Sequence, residues 1–511
     1  MKKPGSLEDR YAKLESRKGS LHIRCEKYAR HTLPYLFPKE GQEQTELDAD
    51  LDSIGARAVN HLSNKLVSTL FPAYRPFVRL EIADEARLAL EKKQVPIDKV
   101  NEALAKGEKK VVRTLDQMGH RTAATEACKL LIVTGNALMY YPDKGKAQVY
   151  SVRDYCVMRD LSGNVIEIMT RDMKAFETFT EEVQEQLRTT QKEKKYDDNT
   201  DVVLYTQILL NKNGKYIVRQ AADCINLTIN DNQYAPKDLP WRPLTWNLSR
   251  GEDYGRGHVE DYRGAFGAIE VLTRALIDGI IIAAEIKFLV NPGSVVDVAE
   301  MNKAATGSYH SGRDGDIVTI KCDKAMDFAS VRQVLEDYTR QIAQAFLLNS
   351  AVTRDAERVT AEEIRYQAQE LETAYGGVYS RFTKDWQDPL ARLILTRVDI
   401  QIGDDTIFPV IVTGLDTLSR LGDIDNYRMM MEDLSAVAAL PEVIQQYLDV
   451  PKLIAFTGTN RGLDYAQFMK KPEQVQAENE AMQEQAAEMQ AGETGGKMLE
   501  AGTKELMKQD I

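Results

Sequence analysis

The chain has 511 residues, 43% hydrophobic and 28% charged, with a formal net charge of −12. This composition supplies a folded core and excludes a disordered or collagen-like polypeptide. The acidic balance excludes a surface that grips nucleic acid everywhere, because phosphate binding needs an excess of Lys and Arg.

Residues 1–10 are polar and charged and lack the apolar run of a secretory signal. The most apolar stretch, 275–290, is interrupted by Asp278, Glu285 and Lys287, so no membrane span is expected. The five cysteines form no C-x-x-C pair and the six histidines no H-E-x-x-H pattern. Buried thiols in a reducing compartment are expected, with no metal centre and no cofactor.

In chain order, Leu7 to His31 reads as charged, patchily amphipathic helix ending at Leu33-Pro34 and Phe37-Pro38. Ile54, Ala58, Leu62, Leu66 and Leu70 make a helical stripe, closed by Pro72 and Pro76. Ile97–Met118 and Ala123–Val133 predict two more helices. Strand-prone runs follow at Val149–Met158 and Val165–Met169, around Leu161-Ser162-Gly163-Asn164. Val202–Leu210 and Tyr216–Arg219 flank Asn213-Gly214, a strong hairpin signal. Glu181–Asp201 reads as a short helix and exposed loop.

From Val259 the pattern is helical again, through Tyr262, Phe266, Ile269, Leu272, Leu276, Ile280 and Ala283, until Asn291-Pro292-Gly293. Val295-Val296 and Ile317–Ile320 are β-prone around the turn Asp314-Gly315. A second rod carries Val331, Leu335, Tyr338, Ile342 and Phe346 on one face. After the polar break Ser350–Arg358, Thr360-Ala361-Glu362-Glu363 forms a capping box. It opens a helix with Ile364, Ala368, Leu371, Tyr375, Val378 and Phe382 in line; Gly376, Gly377 and Pro389 are candidate kinks. Asp423–Asp464 reads as short helices and 472–490 as a solvent-exposed helix. The segment from Glu473 holds nine acids and three bases, −6 of the −12.

Constellations for chemistry are weak. Gly492–Lys497 lacks the first Gly and the final Ser or Thr of a phosphate loop. Gly251–Gly257 reads as a loop entering a helix, and Asp314-Gly315-Asp316 as a tight turn without the bidentate acid of a calcium loop. Glu362, Glu363, Glu370 and Glu372 suit capping and solvation better than acid–base work. Arg354 and Arg358 sit between two apolar stripes; from composition alone, an ordinary connector with surface arginines describes them better than a site does.

The segment Leu348–Tyr366, with Glu370-Leu371-Glu372 and Gly376–Ser380, resembles the portals, or head-to-tail connectors, of autographivirus-type podoviruses. Further matches run collinearly from about residue 10 to 420, including Leu36–Lys39, Gly55-Ala56-Arg57, Gly135-Asn136, Tyr141-Pro142, Thr170-Arg171-Asp172, Tyr254-Gly255-Arg256 and Leu289–Pro292. The resemblance implies a mainly α fold with smaller β regions, in a ring of twelve with a central channel. It implies a wing (1–258), a stem helix (259–287), a clip (288–327), a returning stem helix (328–349) and a tunnel loop (350–359). A long kinked wing helix and the wing remainder (360–422) and a crown with acidic tail (423–511) complete it. Thr353, Arg354, Asp355 and Arg358 would then face DNA, and Lys303, Arg313, Lys321 and Lys324 would lie on a docking clip. The implied partners are other copies, sequence-independent double-stranded DNA, the terminase large subunit, a tail adaptor, the major capsid and scaffolding proteins, and internal core proteins. The implied place is the virion, with assembly in the host cytoplasm. The competing class is a helical adaptor or enzyme of nucleic-acid metabolism, disfavoured by the missing nucleophile, metal and phosphate-loop patterns.

Overall fold

The computed structural model describes residues 6–39, 41, 47–73, 76–83, 86, 97–190, 197, 199–223, 225–227, 233–284, 287–320, 325–348, 369–375, 377–398 and 407–413. Beyond these it describes isolated positions between 428 and 457. The chain divides into units 1–417 and 418–511, and all elements below belong to the first. They are mainly α-helical with smaller antiparallel sheets, as the sequence predicts.

Helices α1 (Leu7–Glu15) and α2 (Gly19–His31) are joined by a short 3-10 turn. Ser6 and Asp9 cap α1 reciprocally, satisfying two free amides. Helix α3 (Ile54–Leu70) buries its predicted stripe, with Ala58, Leu62 and Leu70 inaccessible. It packs on α5 (His120–Thr134), which follows α4 (Ile97–Gln117). Ala123, Ala124 and Ala127 on α5 are buried small residues that permit close helix approach. Gly119 (φ +62°) and Gly135 (φ +78°) bound α5 in left-handed conformations.

The chain then builds three antiparallel sheets. Strand β1 (Val78–Ile82) pairs with the distant β13 (Ile407–Ile411). β2 (Asn136–Tyr140) lies between β3 (Gln148–Tyr150) and β10 (Trp241–Thr245). The largest sheet runs β4 (Tyr155–Arg159), β5 (Val165–Ala175), β6 (Asp201–Leu210), β7 (Tyr216–Ala222) and β8 (Ile225–Leu227). Short β9 (Gln233–Tyr234) also pairs with β7. Gly214 takes φ +75° in the predicted Asn213-Gly214 turn. The predicted strand Val149–Met158 is two strands in two sheets, because Asp154 donates its amide to Ser151 O (2.9 Å) and turns the chain between them. Helix α6 (Glu181–Thr190) covers the large sheet through Leu187, which packs with Phe176 and Val202.

Beyond β10 come the short helix α7 (His258–Asp261) and the rod α8 (Arg263–Ala284), broken at Tyr262. Strands β11 (Lys287–Val290) and β12 (Ile317–Ile320) form a hairpin enclosing the short helix α9 (Val298–Met301). Val295-Val296, β-prone in sequence, lie between these elements and join no strand. The rod α10 (Ala325–Ala345) returns antiparallel to α8, with Phe328 against Gly279 at one end and Phe346 against Phe266 at the other. Residues 369–375 are helical. Gly377 (φ +90°) then breaks the path before α11 (Val378–Phe382), a π-helical turn (Thr383–Gln387) and α12 (Asp388–Arg397). Trp386 on the π turn meets Phe71 and His120 edge-on and donates Nε1–H to Tyr141 OH at 2.8 Å. Burial drives His120 down to about 3, so this aromatic core holds a neutral imidazole.

Candidate functional site

The features that stand out from the packed core are the two rods and the hairpin at their end. Their root is tightly built. Gly135 has positive φ, and a Cβ there would also lie 2.4 Å from the Arg256 carbonyl carbon, so the position requires glycine on both counts. At Gly257 a Cβ would lie 2.7 Å from two carbonyl oxygens of α5. Asn136 completes the junction: its Nδ2 donates to Gly255 O (2.9 Å), and its Oδ1 accepts from Gly255 N (2.7 Å). The glycine-rich 251–257 loop therefore seats the first rod by backbone contact, and two of the sequence blocks matched to the podovirus portals meet here.

The end of α10 is clamped at its free carbonyls, which an isolated helix leaves unpaired. Ala345 O accepts from His258 Nε2 (3.0 Å) and Tyr375 OH (3.1 Å), and Leu347 O accepts from His61 Nε2 (3.1 Å). Phe346 is fully buried among His258, Tyr262 and Phe266. Burial lowers His258 to about 4, against a smaller opposing effect of its hydrogen bond to Ala345, so it is neutral near pH 7. Burial also lowers His61.

A carboxylate group tethers α8 to the loop before α3. Asp50, Asp52 and Glu270 each bring an oxygen within 4.8 Å of the others. Their partners are largely within the chain: His31 on Asp50 (2.5 Å), the Ile54 amide on Asp52 (2.8 Å), and Arg274 (2.5 Å) and the Leu51 amide (3.0 Å) on Glu270. Burial alone would raise Glu270, but the Leu51 amide and Arg274 outweigh it and hold it below the usual range. Asp52 is raised, chiefly by burial and then by the neighbouring carboxylates. The sequence carries no sign of this group, because Glu270 lies more than 200 positions from Asp50 and Asp52.

Away from the root, α8 is apolar nearly all round. Leu272, Leu276 and Ala283 face inward, yet Val271 (65% exposed), Ile277, Ile280, Ile281 and Ile282 (63%) are open. After Arg274 its only charged residue is Asp278. The hairpin continues this surface with Phe288, Leu289, Val295 and Val318, and Tyr309 is fully exposed. Asp316, buried, shapes the turn by accepting from Arg313 N at 2.7 Å.

Lys303 and Arg313 are exposed on this hairpin, about its loop; Lys321 and Lys324 lie outside the described residues. So do Thr353, Arg354, Asp355 and Arg358, Gly376, the capping box at 360–363 and the 492–497 segment. Gly377 has its left-handed turn, and Pro389 lies at the head of α12, directly after the π-helical turn 383–387. Glu370 pairs with the nearly buried Lys65 (2.6 Å). Glu372 reaches across Gly377 to accept from Ser380 N (3.1 Å) and Oγ (2.9 Å), capping α11. Among the described residues no helix is long and apolar enough to cross a membrane.

The family model for bacteriophage head to tail connecting protein matches residues 5–467. The chain is 33% identical over 482 residues to a portal protein of Enterobacteria phage SP6, covering 93% of each. It is 32% identical over 455 residues to a portal protein of Escherichia phage T7, covering 86% of this chain and 84% of the relative. A chain in the virion of a native gene transfer agent particle shares a distant likeness, with a TM-score of 0.38 and 10% identity over 80% of this chain and 89% of that one. A sequence aligned almost end to end with named portal proteins, and matched by the family model over most of its length, places this chain in the family of bacteriophage head-to-tail connecting proteins, structural parts of the virion and not enzymes.

Proposed function

We propose that twelve copies close into a ring whose channel passes double-stranded DNA during packaging and ejection. The observation that carries this reading is the outer part of α8: a helix apolar nearly all round is stable only when most of its surface is covered, and one chain covers a single side. A heterologous contact repeated about an axis supplies the rest without leaving an open edge. Ile281→Asp, far from the root, is expected to leave the folded base intact and abolish rings in negative-stain images. Rings of normal size and stability from this variant would sink the proposal.

In this reading residues 288–327, with Lys303, Arg313, Lys321 and Lys324, dock the terminase large subunit and then the tail adaptor. The crown, 423–511, meets the internal core proteins. The major capsid and scaffolding proteins assemble around the ring in the host cytoplasm. Thr353, Arg354, Asp355 and Arg358 line the constriction, where Arg354 and Arg358 meet the passing phosphates, a contact that carries no base information. Replacing Arg354 and Arg358 together with Ala is expected to impair DNA retention; unchanged packaging and retention would remove them from that role.

A further inference from the structure

The loop before α3 carries an acid at every second position, Asp48, Asp50 and Asp52, in the run Asp48-Ala49-Asp50-Leu51-Asp52-Ser53. Calcium loops present their first three ligands at this spacing, positions 1, 3 and 5, and add a distant acid at position 12. Read alone the run is an ordinary polar turn: position 6 is Ser53 where such loops have Gly, and position 12 is Val59, buried in α3. The spacing gains meaning once the fold brings Glu270 of α8 alongside. One oxygen each of Asp50, Asp52 and Glu270 then lies within 4.8 Å of the others. Asp48 pairs with Arg30 (3.2 Å) and does not belong to the group.

The backbone fixes this arrangement. The Leu51 amide, between the two aspartates, donates to Glu270 Oε2 at 3.0 Å, and the Ile54 amide donates to Asp52 Oδ1 at 2.8 Å. Each carboxylate thus has a partner within the chain, but not every oxygen does. The Asp50 side chain is 2% exposed, and His31 Nδ1 lies 2.5 Å from its Oδ2. Asp50 Oδ1 is buried and has no hydrogen-bond partner among the described residues. Arg30 Nε lies 3.6 Å from it, beyond hydrogen-bond range. A buried carboxylate oxygen without a donor is costly. Beside two further carboxylates, what completes it is a hard cation, whose ligands are oxygens. A calcium ion, about 2.3–2.6 Å from each ligand, reaches oxygens up to about 4.6–5.2 Å apart; magnesium, at about 2.0–2.1 Å, reaches only about 4.2 Å and demands a strict octahedron.

We propose that Asp50, Asp52 and Glu270 hold a calcium ion, with water completing its shell, and that this ion pins the first rod to the base. All three ligands belong to one chain, so the site stands apart from the ring reading. Arg30 and Arg274 offset part of the threefold negative charge, which sets a modest affinity of about 0.1–1 mM.

Calorimetric titration of calcium chloride into the full chain, stripped with EDTA and dialysed, is expected to show one ion per subunit. Calcium at about 10 mM is expected to raise the thermal unfolding midpoint by about 1–3 °C over the EDTA-treated chain. Magnesium at the same concentration is expected to give less than half that rise. D52N keeps an acceptor for the Ile54 amide and D50N one for His31, so each tests the charge with the local contacts in place; both are expected to lose the saturable binding and the rise. E181Q, an equal charge change at an exposed position of α6, is expected to keep them. No saturable binding by the wild-type chain would overturn the proposal, and this titration decides the matter even where a variant fails to fold. Wild-type binding by D50N or D52N, or an equal rise with magnesium, would overturn it as well, the last by marking a general salt effect.

Discussion

His258 offers a measurable test of how the rods are rooted. Its imidazole is 6% exposed, donates to Ala345 O, and titrates near pH 4 in place of its ordinary 6.5. Between these two values the unfolded chain takes up a proton that the folded chain refuses. Stability is therefore complete above pH 6.5, falls as the pH drops toward 4, and loses nothing more from this group below that. Two and a half pH units at about 1.4 kcal/mol each, less the half-titration of the folded group at its midpoint, give a loss of about 3 kcal/mol at pH 4. His258→Gln keeps an amide donor for Ala345 O and cannot be protonated. Urea unfolding of both proteins at one fixed concentration, from pH 7 to pH 4, should show the variant losing about 3 kcal/mol less. His120 and the raised carboxylates Asp154, Asp172 and Asp385 are present in both proteins and cancel in the difference. Parallel stability curves for the two proteins would refute the claim that a neutral His258 holds the end of α10.

Two further outcomes follow from the same junction. Phe346→Ala empties a fully buried ring site and is expected to cost about 3–5 kcal/mol, read by thermal or urea unfolding; a loss under about 1 kcal/mol would mean the site collapses freely. Gly135→Ala and Gly119→Ala both place a Cβ on a left-handed residue, but only position 135 meets backbone. Gly119→Ala should cost about 1–2 kcal/mol and Gly135→Ala clearly more. Equal losses would show that the 251–257 loop yields without cost.

What was legible in the sequence was local. The Asn213-Gly214 hairpin could be read because its turn needs residues that tolerate positive φ, and the α3 stripe because each of its members is buried. The turn at 151–154 could not, since it is closed by ordinary backbone bonds and contains no Gly or Pro. Val295-Val296 forms no strand for a different reason: only residues 294–296 separate the turn at Pro292-Gly293 from Asp297, the N-cap of α9, too short a run for a ladder. The root of the rods was hidden altogether. Its hydrogen bonds join positions 61, 258, 345, 347 and 375, and the histidines showed no pattern because they serve as donors to helix carbonyls and not as ligands. Glycines 251–257 read correctly as a loop entering a helix, but what makes Gly255 and Gly257 necessary is the close backbone from Ile132 to Gly135, over a hundred residues earlier, with Thr245 and Asn247 also against Gly255.

The contrast between root and rod has a thermodynamic consequence. The root is satisfied within one chain: its carbonyls, its buried ring at Phe346 and its carboxylates all find partners there. The outer parts of α8 and the hairpin are not, since Ile280, Ile281, Ile282, Phe288 and Leu289 stay in water. Each such side chain gains about 1.5–3 kcal/mol when covered. That gain depends on subunit concentration, whereas the root's stability does not. Dilution should therefore loosen the rod tips and hairpin first and leave the base folded. Hydrogen exchange resolves this directly: protection at Ile281 and Leu289 should fall with dilution while protection at Phe346 holds. Protection lost equally at all three would mean that root and rod form one cooperative unit, and that the chain folds only as it assembles.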